Sequence, residues 1–369
     1  MALSITTPLG GRGGSETPAS GGVTLRSEFK YRQQRRETIL KSSRLMDDER
    51  TILGLDRASN SERASLTIVN GMSVDPAVRS QLREPFRLAN FIPSLRIPEI
   101  VFPRSDSSER SALEAHWRNS YGLARRASDA IYRALRSVEV IGAMRQPPPR
   151  TSLHSGAVSD KIGVAGENWA SLVALAMSGR SRQTFMPLVG SWLKAAGIAA
   201  DVKVTWLSDR HFEVGIKHPV TGEVENILDV GRGTSQVLPV LIGGYRLRAG
   251  DTYLVEEPEI HLHPRAQASL GDFFCELTQR GVQSIVETHS EYLITRLQQH
   301  VASGALRPEQ VVFYYVSASG GSKRLQSMEL SPEATFVGGI PGGFFPQRLE
   351  EANRLVQARG KRSASVNHD

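Results

Sequence analysis

The segment TYLVEEPEIHLHP, residues 252–264, constrains this chain more than any other. An apolar run of strand length ends there in two adjacent carboxylates, Glu256 and Glu257, and a helix pattern opens at Pro264. That order puts both acids at the carboxyl end of a strand, where open α/β sheets bind their ligands. Adjacent carboxylates at such a place suit nucleotide hydrolysis: one bears on Mg2+ and its waters, the other polarises the attacking water. Burying two charges there without a task is costly.

A second segment, VETHS at 286–290, again ends an apolar run in polar residues, Thr288, His289 and Ser290, ahead of a helix. Strand ends that follow crossover helices in a parallel sheet lie side by side, so His289 is expected to face the crevice that Glu257 faces. A histidine there can donate to a phosphate oxygen or orient a water. The third segment is DVGRGTSQVLPVL, 229–241. Its glycines, Gly231 and Gly233, allow close backbone approach, and Thr234-Ser235 are placed to cap a helix from about Gln236. Taken alone it is no more than a capped helix.

Around these segments the chain has a readable order. The first twenty-two residues are rich in Gly, Ser, Thr and Pro and read as a flexible lead-in. Strands are expected at Val23–Tyr31, Glu37–Leu45 and Ala64–Asn70, a helix over Ser107–Ser137, and a short strand at Val138–Gly142. Pro147-Pro148-Pro149 is the strongest internal boundary, dividing residues 23–146 from a core at 147–306 and a terminal hairpin and helix at 307–369. The core reads as helices at Glu167–Ala176 and Phe185–Ala196, then a three-strand meander (VKVTW, HFEVGIK, EVENIL). Alternating strands and helices follow, including a helix at Pro264–Arg280 and a buried strand at Gln283–Glu287. The fold class is therefore α/β, with a mixed, largely parallel sheet and an antiparallel layer.

Composition narrows the function. No run of 18 apolar residues and no secretory leader occur, and the single cysteine, Cys275, excludes a disulfide framework, so a cytoplasmic protein without a membrane span is expected. Residues 1–150 hold 24 Lys+Arg against 16 Asp+Glu, whereas residues 151–369 hold 21 against 22. A basic half can meet phosphate backbones, but an ordinary basic surface explains it as well, so nucleic acid stays open as a partner. His261 and His263 form an H-x-H pair, yet no cysteine lies near, and zinc is disfavoured.

The three segments, in this order, resemble the ATPase heads of the ABC/SMC-like class, and most closely the OLD-like AAA-family ATPases of bacteria and phages. The resemblance covers about residues 138–350. It implies an ABC-type nucleotidase head binding ATP and Mg2+. Glu256 and Glu257 then stand in the Walker B motif, with Glu257 as catalytic base and Glu256 beside Mg2+; the broader class carries Asp before the Glu, whereas OLD-like members often carry Glu-Glu-Pro-Glu as here. Residues 259–264 look like the D-loop, and His289 like the switch histidine. Gly233, Ser235 and Gln236 look like the signature motif that reaches a partner subunit's ATP, with Gly231 and His263 also beside the nucleotide. Dimerisation through the heads, with itself or a related chain, is implied. The C-terminal GGIPGGFFPQRLEEANRLV is similar to a domain of unknown function that closes a subset of these ATPases.

One departure matters. A phosphate loop needs G-x-x-x-x-G-K-[ST] between strand and helix, and none of the eight lysines sits in that pattern. In relatives this loop lies near the N-terminus, so the expectation is a chain lacking its N-terminal strand–P-loop–helix, through truncation, a misassigned start or degeneration. A non-hydrolysing interaction or nucleic-acid-binding subunit is the competing reading. A carboxylate nuclease is disfavoured, because the residues after His289 show no D-x-D motif.

Overall fold

The computed structural model describes residues 2–8, 22–32, 37–47, 50–57, 64–69, 71–74, 88–89, 92–93, 132–154, 156, 159–178, 185–319 and 322–339. It divides into two compact units, Met1–Ser137 and Val138–Asp369. The division falls ahead of the tri-proline, because the strand Val138–Ile141 pairs within the second unit. Most of the expected helix at 107–137, and the C-terminal segment from residue 340, lie outside the described residues.

In the first unit six strands form an antiparallel sheet in chain order: β1 (Ala2–Pro8), β2 (Gly22–Arg32), β3 (Glu37–Asp47), β4 (Arg50–Arg57), β5 (Ala64–Val69) and β6 (Met72–Ser73). Two short strands, β7 (Leu88–Ala89) and β8 (Ile92–Pro93), pair separately. Residues 2–8 are thus not a loose lead-in: Leu3-Ser4-Ile5-Thr6 alternate in polarity, and the whole segment pairs with β2 along its length. β4 was not expected, because Gly54 interrupts its apolar run. A Cβ at Gly54 would lie 2.8 Å from Ile68 Cβ on β5, so the close pairing there needs the glycine. Leu45, Ile52, Leu53 and Leu55 are buried in this sheet, and Arg44 grips both oxygens of Asp56 at 2.7 and 2.8 Å.

The second unit is mixed α/β, with one parallel and one antiparallel sheet around a common core. The parallel sheet has the order β15 (Gln283–Glu287), β14 (Thr252–Glu256), β9 (Val138–Ile141). The antiparallel sheet runs β10 (Ser152–Leu153), β12 (His211–Lys217), β11 (Asp201–Trp206), with β13 (Val224–Asn226) also on β12. β11, β12 and β13 make the expected meander.

Five helices are described in full: α1 (Trp169–Met177), α2 (Met186–Ala195), α3 (Arg232–Tyr245), α4 (Pro264–Gln279) and α5 (Glu291–Ala302). Their apolar stripes close the core; on α4, Leu270, Phe273, Phe274 and Leu277 are all buried. Two glycines of α3 let it press on its neighbours. A Cβ at Gly243 would meet Tyr253 Oη at 2.8 Å, and one at Gly244 would meet Phe273 Cζ at 2.4 Å. The helix is thereby held against β14, the strand that delivers the acid pair. The hairpin β16 (Val312–Ser319) and β17 (Ser322–Glu329) lies beyond, near a small cluster of Cys275, Val301, Leu306 and Leu330.

β15 is not the buried strand its composition suggests. Among the described residues it is one of the two outer strands of the parallel sheet, and Ile285 is 54% exposed. Among the described residues, no helix is long and apolar enough to cross a membrane.

Candidate active site

β14 and β15 run parallel in register, Glu256 opposite Glu287, so their carboxyl ends open onto the same place. Glu256 ends its strand exposed, and its Oε2 accepts the Ala143 N–H at 3.1 Å from the turn after β9. Glu257 leaves the strand in the left-handed region, at φ 44°, and donates its N–H to Glu287 O at 2.8 Å. A left-handed conformation costs a side-chain-bearing residue about 1–2 kcal/mol, so the surroundings must hold it. This turn swings the Glu257 carboxylate towards β15. Its Oε1 lies 3.1 Å from His289 Nε2, with the carboxylate side chain 19% exposed and the imidazole 82% exposed.

The acid pair is in fact part of a trio. Glu259, 7% exposed, turns inward, and its Oε1 accepts the Thr288 hydroxyl at 2.7 Å and the His289 main-chain N–H at 2.6 Å. Burial raises the Glu257 carboxyl above the ordinary carboxylate range; the neighbouring Glu259 reinforces this, and His289 opposes it. A base of raised basicity beside an exposed imidazole is suited to taking a proton from water. Below them Ser290 caps α5 by accepting the Leu293 N–H at 3.2 Å, and donates its hydroxyl to Gln267 on α4 at 2.7 Å.

The glycine segment differs from expectation. α3 begins at Arg232 with Gly231 as its N-cap, not at Gln236. Thr234 and Ser235 therefore lie inside the first turn and do not cap it; both are buried, and Ser235 Oγ donates back to Arg232 O at 2.9 Å. Gly231 carries the extended backbone that an N-cap requires, so the helix starts there. Gly231 and Arg232 are exposed, and Gln236 is half-buried. Gly233 does make the close approach foreseen for it. A Cβ there would lie 2.6 Å from His261 O and 3.2 Å from Leu262 Cδ2. His261 is itself left-handed at φ 64°, and His263 caps α4, its Nδ1 accepting the Arg265 N–H at 3.4 Å. The structure thus brings Glu256, Glu257 and His289 together at the strand ends and sets Gly233 against the His261–Leu262 segment, with Gly231, Ser235 and Gln236 flanking Gly233 at the start of α3 and His263 at the cap of α4. The turn 257–263 joins the two places.

Two participants escaped the sequence. Arg145 lies under the turn, 6% exposed, and its Nη2 donates to both Glu256 O and Glu257 O at 2.6 and 2.9 Å. Nothing in its surroundings marks it out, since it merely precedes the tri-proline. Glu259 stood in plain view inside Glu-Glu-Pro-Glu, but its inward turn follows from the left-handed residues around it, which spacing does not disclose.

Among the described residues, no group of three His, Cys, Asp or Glu side chains is arranged to hold a metal. Mg2+ commonly takes only one or two protein carboxylates and completes its shell from phosphate oxygens and water. Glu256, exposed at the end of its strand, leaves a carboxylate open to solvent there.

Residues 193–295 match the family model described as "AAA domain, putative AbiEii toxin, Type IV TA system". The match spans less than a third of the chain. It contains Glu256, Glu257, Glu259 and His289, but not Arg145. No curated protein matches the chain. Among solved structures, an SmcHead bound to the C-winged helix domain of ScpA is similar at 11% identity, with 85% of this chain and 76% of that chain covered and a TM-score of 0.37. The SMC head domain from Thermotoga maritima is 10% identical, over 84% of this chain and 74% of that one, with a TM-score of 0.30. An Smc head domain with an extended coiled coil, bound to the C-terminal domain of ScpA and derived from Pyrococcus furiosus, is 11% identical over 93% and 81%, with a TM-score of 0.33.

Proposed function

We propose that this chain is an OLD-like ATPase head whose chemistry centres on Glu257 and His289. The 3.1 Å approach of Glu257 Oε1 to His289 Nε2, at the ends of adjacent parallel strands, carries the reading. Glu257 takes the proton of the attacking water. His289, exposed beside it, donates to a phosphate oxygen or orients that water. Glu256 holds Mg2+, which when bound draws charge from the phosphate oxygens of ATP. The exposed Gly231, Arg232, His261 and His263 form the face that meets a second head. The reading extends to a role in defence against phages or in DNA-related processes; the matched family, named for an AbiEii toxin of a Type IV TA system, is in keeping with a defensive role.

Phosphate positioning by a G-x-x-x-x-G-K-[ST] loop has no counterpart in this sequence. The outer edge of β9 is occupied: Gly142 N–H donates to Val164 O at 2.8 Å, and Lys161 Nζ to Val138 O at 2.6 Å. The other edge of the sheet, along β15, is unpaired among the described residues. Gln283 N–H and Glu287 O bond towards β14, so the alternation of a parallel ladder turns the main chain of Ser284 and Val286 outward. In this reading a strand bearing the phosphate loop joins there, beside His289.

In this reading the chain by itself hydrolyses ATP little or not at all, because no phosphate loop of that pattern positions the nucleotide and stabilises its charge. Adding a strand–phosphate loop–helix segment before Met1 produces Mg2+-dependent turnover, which Glu257→Gln abolishes while nucleotide binding persists. Robust turnover by the unextended chain, indifferent to Glu257→Gln, overturns the assignment.

A further inference from the structure

Arg145 is the most deeply buried cation of the site cluster, and the chemistry assigned above leaves it without a task. Its Nη2 is shared between the carbonyls of Glu256 and Glu257, one residue on each side of the bend into the left-handed region. Its Nε and Nη1 are buried with no hydrogen-bond partner among the described residues. Burial pulls the guanidinium below its ordinary pKa; Tyr253, Glu259, Glu257 and Glu256 oppose that pull. An arginine remains charged under such conditions, so a full positive charge sits beneath three carboxylates. A buried cation with one nitrogen committed to two carbonyls is costly unless it does something for the groups around it.

We propose that Arg145 is the positioning residue of the acid turn. It fixes the Glu256–Glu257 backbone so that Glu257 stays left-handed and reaches His289. Its charge also lets Glu256, Glu257 and Glu259 remain together before any cation arrives. The proposal rests on the reading of Glu256 and Glu257 given above. It adds that their geometry is set from β9 and the turn after it, outside the matched residues 193–295.

The test follows amide hydrogen exchange in wild type, Arg145→Met and Arg145→Lys, with Mn2+ binding measured on the same samples. Loss of the clamp speeds exchange at residues 257–261 and 287–290 about ten-fold or more in Arg145→Met, while Val138–Ile141 and α3 keep their protection. Arg145→Lys, which keeps the charge and can donate to both carbonyls, stays within about three-fold of wild type. Should Arg145→Met not fold, Arg145→Gln gives the same reading.

Mn2+ separates positioning from plain electrostatics by sign. Deleting a nearby positive charge alone tightens cation binding, whereas losing the carboxylate geometry weakens it, here about three-fold or more. Exchange unchanged at 257–261 and 287–290, a uniform rise across the sheet, or tighter Mn2+ binding in Arg145→Met overturns the proposal. Wild type that binds neither Mn2+ nor ATP counts against the reading of the site instead, and the exchange data still decide on Arg145.

Discussion

Glu259 accepts the main-chain N–H of His289 at 2.6 Å, across thirty residues of sequence, and the same oxygen takes the Thr288 hydroxyl at 2.7 Å. The third acid of Glu-Glu-Pro-Glu therefore fixes the loop that presents the histidine to the second. Glu259→Ala leaves two part-buried donors without their acceptor and is expected to cost about 1–2 kcal/mol, read from urea unfolding. Glu259→Gln keeps an acceptor oxygen and costs about 1 kcal/mol or less. Because Glu259 helps to raise the Glu257 carboxyl, Glu259→Gln also lowers the Glu257 pKa towards the ordinary range, which carboxyl NMR titration can follow.

A second prediction concerns pH and Glu139, buried on β9 at 4% exposure. Burial raises its carboxyl, against the pull of Lys161 and of the hydrogen bond from the Ile162 N–H at 3.2 Å. A raised pKa means the folded chain binds more protons than the unfolded one. Its contribution to stability is then present at low pH and lost as pH climbs through and above the ordinary glutamate range. Glu139→Gln keeps the acceptor and removes that loss, so its stability gain over wild type grows from acidic to neutral pH. A gain that shrinks over the same interval refutes the sign.

Gly233 and Gly231 should respond differently to alanine. At Gly233 the new Cβ lies 2.6 Å from the His261 carbonyl, a backbone atom that cannot swing away. Gly233→Ala is expected to cost about 1–3 kcal/mol and to part the α3 start from the 257–263 turn. At Gly231 nothing lies within 4 Å, so Gly231→Ala loses only an N-cap preference of about 1 kcal/mol. Thermal unfolding of the two variants distinguishes them.

The contrast between these glycines marks how far the sequence was legible. Strand and helix periodicity located β14, β15 and α4, and with them the meeting of Glu257 and His289, because alternation and apolar stripes are local signals. Local signals also misled. The Gly/Ser/Thr/Pro content of the first twenty-two residues hid the pairing of Ala2–Pro8, and Gly54 hid β4, whose reason is a neighbour on β5. Thr234-Ser235 looked like a cap, yet the extended backbone at Gly231 started α3 four residues sooner than Gln236. Arg145 and the inward face of Glu259 depend on left-handed residues and on contacts more than a hundred residues apart in one case. No period or spacing carries that information.

The last prediction tests the open edge of β15. The N–H of Val286 is turned away from β14, whereas Ile285 belongs to the set that bonds towards it. Proline removes the donor at its own position and is tolerated on edge strands where that donor faces outward. Val286→Pro should therefore cost about 1–2 kcal/mol, mostly from lost packing of a half-buried valine, while Ile285→Pro breaks a ladder bond and costs about 3 kcal/mol or more. Function should separate the pair further. If a strand carrying the phosphate loop adds along this edge, Val286→Pro takes away the N–H it would pair with and closes the edge. The extended chain bearing Val286→Pro then stays folded, by circular dichroism, yet fails to gain Mg2+-dependent ATP turnover. Turnover equal to that of the extended wild type would show that the phosphate loop is held elsewhere.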